Sequence, residues 1–396
     1  MKIRSKRLTR LAAGALAAIG LTQAAPAVEM EGYFRAGPGS THKGAARQCY
    51  GLDGPGLRYR LGNECDIYAE IAFVQTMKLD GVEAKLNFMP VLWNGATDTG
   101  SQRLDIAQLF ASVKGVDFMP EASFWAGKRF YVGNQGVHIV DTWFWKPGAG
   151  SVGAGVDDIN AGPGKLALAY FRTDGPATDG SQPASRLHVD FSQLKVNEDG
   201  RLRLNLSLTR GDFEGGTTGA AVSVHHTQDK FLGLGGANEV MLQFAQGSAN
   251  INGAFGGGSD PSSVKSWRLI DSPTWQVGNF GGQALLMFGE NKSPAGKTQV
   301  TSLGGRASYA FTRNLKMLTE LGLSGKKPDG SAQQRVTKLT VGPAIAMSPD
   351  FWSRPELRLY VTTAKWNAAA GADAANGLAV GKTSGTSAGA QVEVWF

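Results

Sequence analysis

The stretch RLRLNLSLTR (Arg201–Arg210) puts Leu202, Leu204, Leu206 and Leu208 on one side of an extended chain. Arg201, Arg203, Asn205, Ser207 and Thr209 fall on the other. Successive side chains of a strand point to opposite faces, so this reads as a strand with one apolar and one polar face. The pattern recurs. Ile67, Ala69, Ile71 and Phe73 oppose Tyr68 and Glu70, and Val82, Ala84, Leu86 and Phe88 oppose Glu83, Lys85 and Asn87. Leu187, Val189 and Phe191 oppose His188, Asp190 and Ser192, and Leu357, Leu359 and Val361 oppose Arg358, Tyr360 and Thr362.

A soluble sandwich also alternates, with its apolar faces inward. Three features favour a barrel in a membrane. Turn clusters recur between the runs, at Asp80-Gly81, Asn197–Gly200 and Asp329-Gly330. Many apolar faces are small or medium, with aromatics near their ends, as expected for a lipid-facing band with girdles. The third is the ending, SAGAQVEVWF (Ser387–Phe396). Ala390, Val392, Val394 and Phe396 share one face there, and Gly389, Gln391, Glu393 and Trp395 the other. At about ten residues per strand the chain makes roughly 16 to 20 strands. The expected fold is therefore all-β, a transmembrane antiparallel barrel wide enough for an aqueous lumen. The Gly/Ser/Ala-rich pieces Gly253–Ser263 and Ala368–Ser387 read as long outer loops.

Residues 1–27 read as a secretory signal peptide. Lys2, Arg4, Lys6, Arg7 and Arg10 form a basic start, Leu11–Leu21 an apolar core too short to span a bilayer, and Ala25-Pro26-Ala27 a small-x-small cleavage pattern. Residues 28–396 are then one barrel domain. Removing those five basic residues from a formal net charge of +7 leaves +2, which argues against nucleic acid as a partner. Gly, at 54 residues, is about twice average usage and suits many turns. Export also points to a disulfide between Cys49 and Cys65.

Motifs for chemistry are few. Gly148, Gly150 and Gly153 match GxGxxG, but no amphipathic helix follows, so a nucleotide site is not expected. His225-His226 lacks neighbouring acids or thiols, and two cysteines do not make a zinc site. GxSxG, HExxH and CxxC do not occur. The reading is a non-enzyme without cofactor or metal.

The densest stretch is WAGKRFYVGNQGVHIVDTWFW (Trp125–Trp145). It carries Trp125, Phe130, Tyr131, Trp143, Phe144 and Trp145 among Lys128, Arg129, His138 and Asp141. In a barrel wall such a segment is the natural one to fold inward and narrow the lumen. Elsewhere aromatics share inward-predicted faces with charges: Tyr33 with Arg35, Tyr68 with Glu70, Trp395 with Glu393 and Gln391. A ring can stack on the C–H face of a sugar while charged neighbours hydrogen-bond its hydroxyls.

At these residues the chain resembles the maltoporin family of sugar porins. CYGLDGPGLRYRLGNECDIYAEI (Cys49–Ile71) is similar to the family's cysteine-bridged first loop and following strand. FWAGKRFY (Phe124–Tyr131) with VHIVD (Val137–Asp141) is similar to its inward loop. FWSRPELRLYVTTAKW (Phe351–Trp366) and GAQVEVWF (Gly389–Phe396) are similar to its last strands. The resemblance implies an antiparallel barrel of about eighteen strands in the outer membrane. It also implies a homotrimer in contact with outer-membrane lipid, and facilitated diffusion of maltose-type oligosaccharides. It puts Tyr33, Tyr68, Trp93, Trp352 and Trp395 on an aromatic slide, with Trp93 reaching a neighbouring subunit's channel. Arg35, Arg60, Glu70, Arg103, His138 and Asp141 fall on a polar track, and Trp143 takes the position of a constriction tyrosine. One slide aromatic becomes Val222. Around Val132–Gly136 an arginine and an aspartate of the track are missing. The alternatives are a general or weakly anion-selective diffusion porin of the same fold and, further off, an outer-membrane enzyme or exported carbohydrate-binding β protein.

Overall fold

The structure is a computed structural model that describes residues 28–42, 44–95, 103–131, 135–147, 151–173 and 182–396. The expected signal segment lies outside them. Among the described residues, 18 antiparallel strands close into a barrel. They are β1 (Glu29–Ala36, resumed at Gly39–Thr41), β2 (Ile67–Leu79), β3 (Val82–Asn94), β4 (Arg103–Lys114), β5 (Ser123–Lys128) and β6 (Val152–Ala161). Next come β7 (Gly164–Thr173), β8 (Ala184–Lys195), β9 (Gly200–Gly211), β10 (Thr218–Gln228), β11 (Asn238–Gly247) and β12 (Lys265–Val277). The last are β13 (Phe280–Ser293), β14 (Gly296–Ala310), β15 (Leu315–Pro328), β16 (Gln334–Ala346), β17 (Glu356–Trp366) and β18 (Ser384–Trp395).

Each strand pairs with its sequence neighbours, and β1 pairs with β18 to seal the wall in the register Tyr33↔Trp395 and Arg35↔Glu393. Gly32 N donates to Phe396 O at 3.0 Å and Phe396 N to Gly32 O at 3.1 Å. β1 is interrupted where Pro38 has no N–H to give. At Gly37 a Cβ would lie 2.0 Å from Ala390 O, so only glycine fits. The short turns gather at one end. At Asp80-Gly81 both residues have positive φ, 49° and 85°, as a two-residue hairpin of this handedness requires.

The wall is inside-out relative to a soluble protein. Leu204, Leu208, Val222, Val224, Leu242, Phe244 and Leu269 are exposed, while Asn205, Ser207, Ser223, His225, Gln243 and Arg268 between them are buried. This is the outward apolar, inward polar pattern of a barrel in lipid.

The apolar core sits in the lumen, between two inward loops and the wall. Tyr50, Leu52, Leu57 and Tyr59 come from the β1–β2 loop, and Ile139, Val140 and Phe144 from the β5–β6 loop. Both sets meet Met241, Ile270, Leu285 and Met287 of the wall. A disulfide joins Cys49 to Cys65 at the base of the first loop, with a Cα–Cα distance of 6.0 Å. That loop is bolted to the wall at β14–β16. Leu61 N donates to Glu320 at 2.8 Å, and Leu61 O accepts from Lys338 Nζ at 2.7 Å and Thr340 at 3.0 Å. The Tyr59 ring lies in a notch formed by Gly304 and Gly322, directly opposed on β14 and β15, and its hydroxyl pairs with Ser302 at 3.0 Å.

The two long Gly-rich pieces, expected as outer loops, connect β11 to β12 and β17 to β18 and pack against the lumen. Gly253 O accepts from Ser207 at 2.8 Å, and Asn252 O accepts from Lys146 N at 2.9 Å. At Gly253 a Cβ would come within 2.6 Å of the Trp145 ring. The other piece carries a short helix, Ala368–Ala372, with Ala370 fully buried, and its last residues belong to β18. Small side chains let these segments pack closely into the lumen.

The glycine notch yields a test. A Cβ on Gly322 would lie 2.1 Å from Tyr59 Cδ2. Gly322→Ala is expected to destabilise the barrel by about 1–3 kcal/mol. Adding Tyr59→Ala should recover part of that loss, so denaturation midpoints of the double variant equal to the sum of the singles would show that the notch does not hold the ring.

Candidate functional site

Cross-strand register brings most of the sequence-predicted positions together. One row around the wall runs Glu393, Arg35, Tyr68, Trp93, Arg103, each paired with the next on the neighbouring strand. The row two residues away holds Trp395, Tyr33 and Glu70. Directly paired residues share a face, so all eight point into the lumen. Trp352 joins them from the turn between β16 and β17, its ring 6.4 Å from that of Trp395. Tyr33 and Tyr68 lie 6.0 Å apart. Arg103 is exposed at the start of β4, beside Trp93 but apart from the central charge cluster.

The inward loop faces this lane. A short 3₁₀ turn, His138–Val140, seats the His138 ring 5.3 Å from Trp352 and 5.4 Å from Trp395. Asp141 caps the turn at φ 48°, a left-handed conformation that Asp tolerates better than most residues. Its carboxylate reaches Arg35 at 2.5 Å and Arg60 at 3.8 Å. Two-residue strands on either side of the turn pair Gly136 with Trp143 and Val137 with Thr142. Trp143 stays 41% exposed while Phe144 and Trp145 are wholly buried. The dense stretch is thus split: Trp125, Tyr131, Phe144 and Trp145 fix the loop to the wall, and Trp143 is left accessible. Val132–Asn134, within the segment where track charges are missing, lie outside the described residues.

Charges behind the rings form one compensated network. Arg35 makes a two-pronged contact with Asp66, at 3.0 and 2.9 Å, with its guanidinium 5.4 Å from the Tyr68 ring centroid. Arg60 donates to Glu64 at 2.6 Å, meets Glu393 at 2.7 Å, and reaches both Tyr33 Oη and His138 Nδ1, the last at 3.0 Å. Arg354 lies 4.0 Å over the Trp395 ring and donates to Glu393 at 2.8 Å. Tyr68 donates to Glu70 at 2.6 Å and Trp93 Nε1 to Asp66 at 3.2 Å.

Glu64, Asp66, Arg306 and Arg354 were not anticipated. Local signals existed for three of them: Glu64 and Asp66 flank Cys65, and Arg354 follows Trp352 by two residues. Val222 is a correction. It is exposed on the outer face, paired with Leu206 and Phe244, whereas its neighbours Ala221 and Ser223 are buried. A one-residue offset on a strand exchanges lipid for lumen. His225 and His226 are neighbours on β10 and point to opposite faces. Gly148 and Gly150 of the GxGxxG match lie outside the described residues, and Gly153 is in strand β6.

The site offers ring faces and a set of oriented donors and acceptors along an inner wall of a barrel, which is the construction of a porin. Residues 28–396 match the pattern of the LamB porin family, and the chain belongs to that family. It is an integral outer-membrane protein. Among solved structures it is similar to an anion-selective porin from Comamonas acidovorans (14% identity, TM-score 0.49, 93% of this chain and 99% of that one). It is also similar to the outer membrane channel DcaP of Acinetobacter baumannii (11%, 0.47, 93% and 97%). A third is OmpT of Vibrio cholerae (10%, 0.43, 95% and 99%).

His138 gives a pH prediction. Burial holds its imidazole well below its ordinary value. Glu393 opposes this, but Arg60, Arg306 and Arg354 add to it. The unfolded chain therefore binds a proton that the folded loop resists, and stability must fall as pH drops below about 6.5. His138→Gln is expected to flatten the melting temperature between about pH 7.5 and 5. An unchanged slope would locate the titrating group elsewhere.

Proposed function

We propose that this porin is selective for sugars and passes maltose- or maltodextrin-type oligosaccharides by facilitated diffusion, as a homotrimer and without a catalytic step. What carries the reading is the lane of Trp352, Trp395, Tyr33, Tyr68 and Trp93, backed along its length by charged groups. Trp93 and Trp352 are each 42% exposed, so their rings are free to stack on a passing pyranose. Arg35, Arg60, Glu70, Arg103, His138 and Asp141 are assigned to the hydroxyls, and Trp143 to the narrowest point. Several weak contacts suit transport better than one tight site, which would trap the solute. The trimer rests on the family; Trp93, which the resemblance assigns to a neighbouring channel, is counted here in its own chain's lane, where Nε1 donates to Asp66.

A general diffusion porin of the same fold is the second reading; a ring lane with no effect on solutes would favour it. The two separate in a planar bilayer titrated with maltose-series sugars. Saturable, chain-length-dependent block of the current is expected, and Trp395→Ala should weaken it by roughly three- to tenfold, the scale of one aromatic contact. Trp143→Ala should raise single-channel conductance and blur discrimination among sugars while the trimer still assembles. Unsaturable current at high sugar would leave only the general porin.

A further inference from the structure

Behind the inward loop, away from the aromatic lane, lies a group of buried donors that the sugar path does not use. Arg186 of β8 is fully buried, its guanidinium 4.5 Å from the Phe171 ring centroid and 4.4 Å from that of Phe255. Among the described residues none of its Nε, Nη1 and Nη2 atoms meets an acceptor. His188, the next inward residue on the strand, places Nδ1 3.1 Å from Ser207 Oγ and leaves Nε2 unpaired. The rings of Tyr131 and Trp145 stand 5.2 and 5.9 Å from that of His188; Trp145 Nε1 and Tyr131 Oη, which faces the Asp157 carboxylate, are also buried without a hydrogen-bond partner among the described residues. Asp190, the next inward acid on β8, is already engaged by Arg203 at 2.6 Å and by Asn205.

Burying a guanidinium without a counter-charge costs several kcal/mol. Two ring faces return part of this but bind none of its N–H groups. The unpaired set is weighted towards donors: guanidinium and indole can only donate, and the phenol can donate. Ser207 gives its hydroxyl proton to Gly253 O, so His188 donates to Ser207 through Nδ1 and its Nε2 is an acceptor, as is the nearby Asn205 Oδ1 on β9. We propose that Arg186 and Trp145, with Tyr131, form a site for a small monovalent anion of halide size. One formal positive charge calls for one negative charge, and the full burial of Arg186, His188 and Trp145 favours the smallest anions. Tyr131 and Trp145 lie at the two ends of the inward loop, so the anion would tie both ends to the wall.

Bromide is the probe. Crystals of the full-length protein grown with sodium bromide in place of chloride should show an anomalous peak within about 3.5 Å of an Arg186 nitrogen. Arg186→Met should abolish it, and Trp145→Phe and Tyr131→Phe, which each remove one donor and keep an aromatic side chain, should lower its occupancy severalfold. The melting temperature should also rise from isethionate to bromide, and rise less in Trp145→Phe. An ordered water without anomalous signal, a peak that persists in Arg186→Met, or full occupancy in both single-donor variants would overturn the assignment. The last arm holds even if Arg186→Met does not fold.

Discussion

In hydrocarbon no backbone N–H or C=O can turn to water, so every rung of the sheet must find its partner within the protein. Pairing β1 with β18 meets that demand, and the rest of the architecture follows from the closure. Once the outer face is given to lipid, the polar residues and the packed core both have to lie within. The first loop therefore uses the wall at β14–β16 as its ground, with Tyr59 between two glycines and Leu61 held by Glu320, Lys338 and Thr340.

An interior so rich in ionised groups holds together only if each charge is answered nearby. Glu393 does much of this, accepting from Arg354 at 2.8 Å and Arg358 at 3.1 Å while facing Arg60 at 2.7 Å. The same arginines lie against the rings of Tyr33 and Trp395. Ring position and charge compensation are one arrangement. For an uncharged, hydroxyl-rich solute, such a surface presents many orientable partners and little net field to trap an ion.

How much was legible depends on the range of each signal. Strand alternation is local, so the inward parity of Tyr33, Tyr68 and Trp395 could be read from residues two apart. The disulfide was legible because its cysteines are 16 residues apart and the context was export. The resemblance misled at Val222, where an offset of one residue turns the side chain to lipid. The role of Glu64 was half legible: Arg60 pairs with it from four residues away, but Arg358 meets it across 294 residues. The inward packing of the Gly/Ser/Ala-rich segments was hidden for another reason. Small residues announce room for a neighbour but not which neighbour, and Trp145, 108 residues before Gly253, carries no mark of it.

The first loop has a bearing on how the molecule is put together. It leaves from the strand that forms the seam, yet its anchor points, Gly304, Gly322, Glu320 and Lys338, lie on strands near the other end of the chain. A loop cross-linked between Cys49 and Cys65 is a compact bead rather than a thread. Such a bead is most simply enclosed as the sheet curls round it, before the two terminal strands meet. Its fit against β14–β16 then acts as a checkpoint on closure: a wall that has slipped register offers no notch for Tyr59 and leaves the bead propping the seam open.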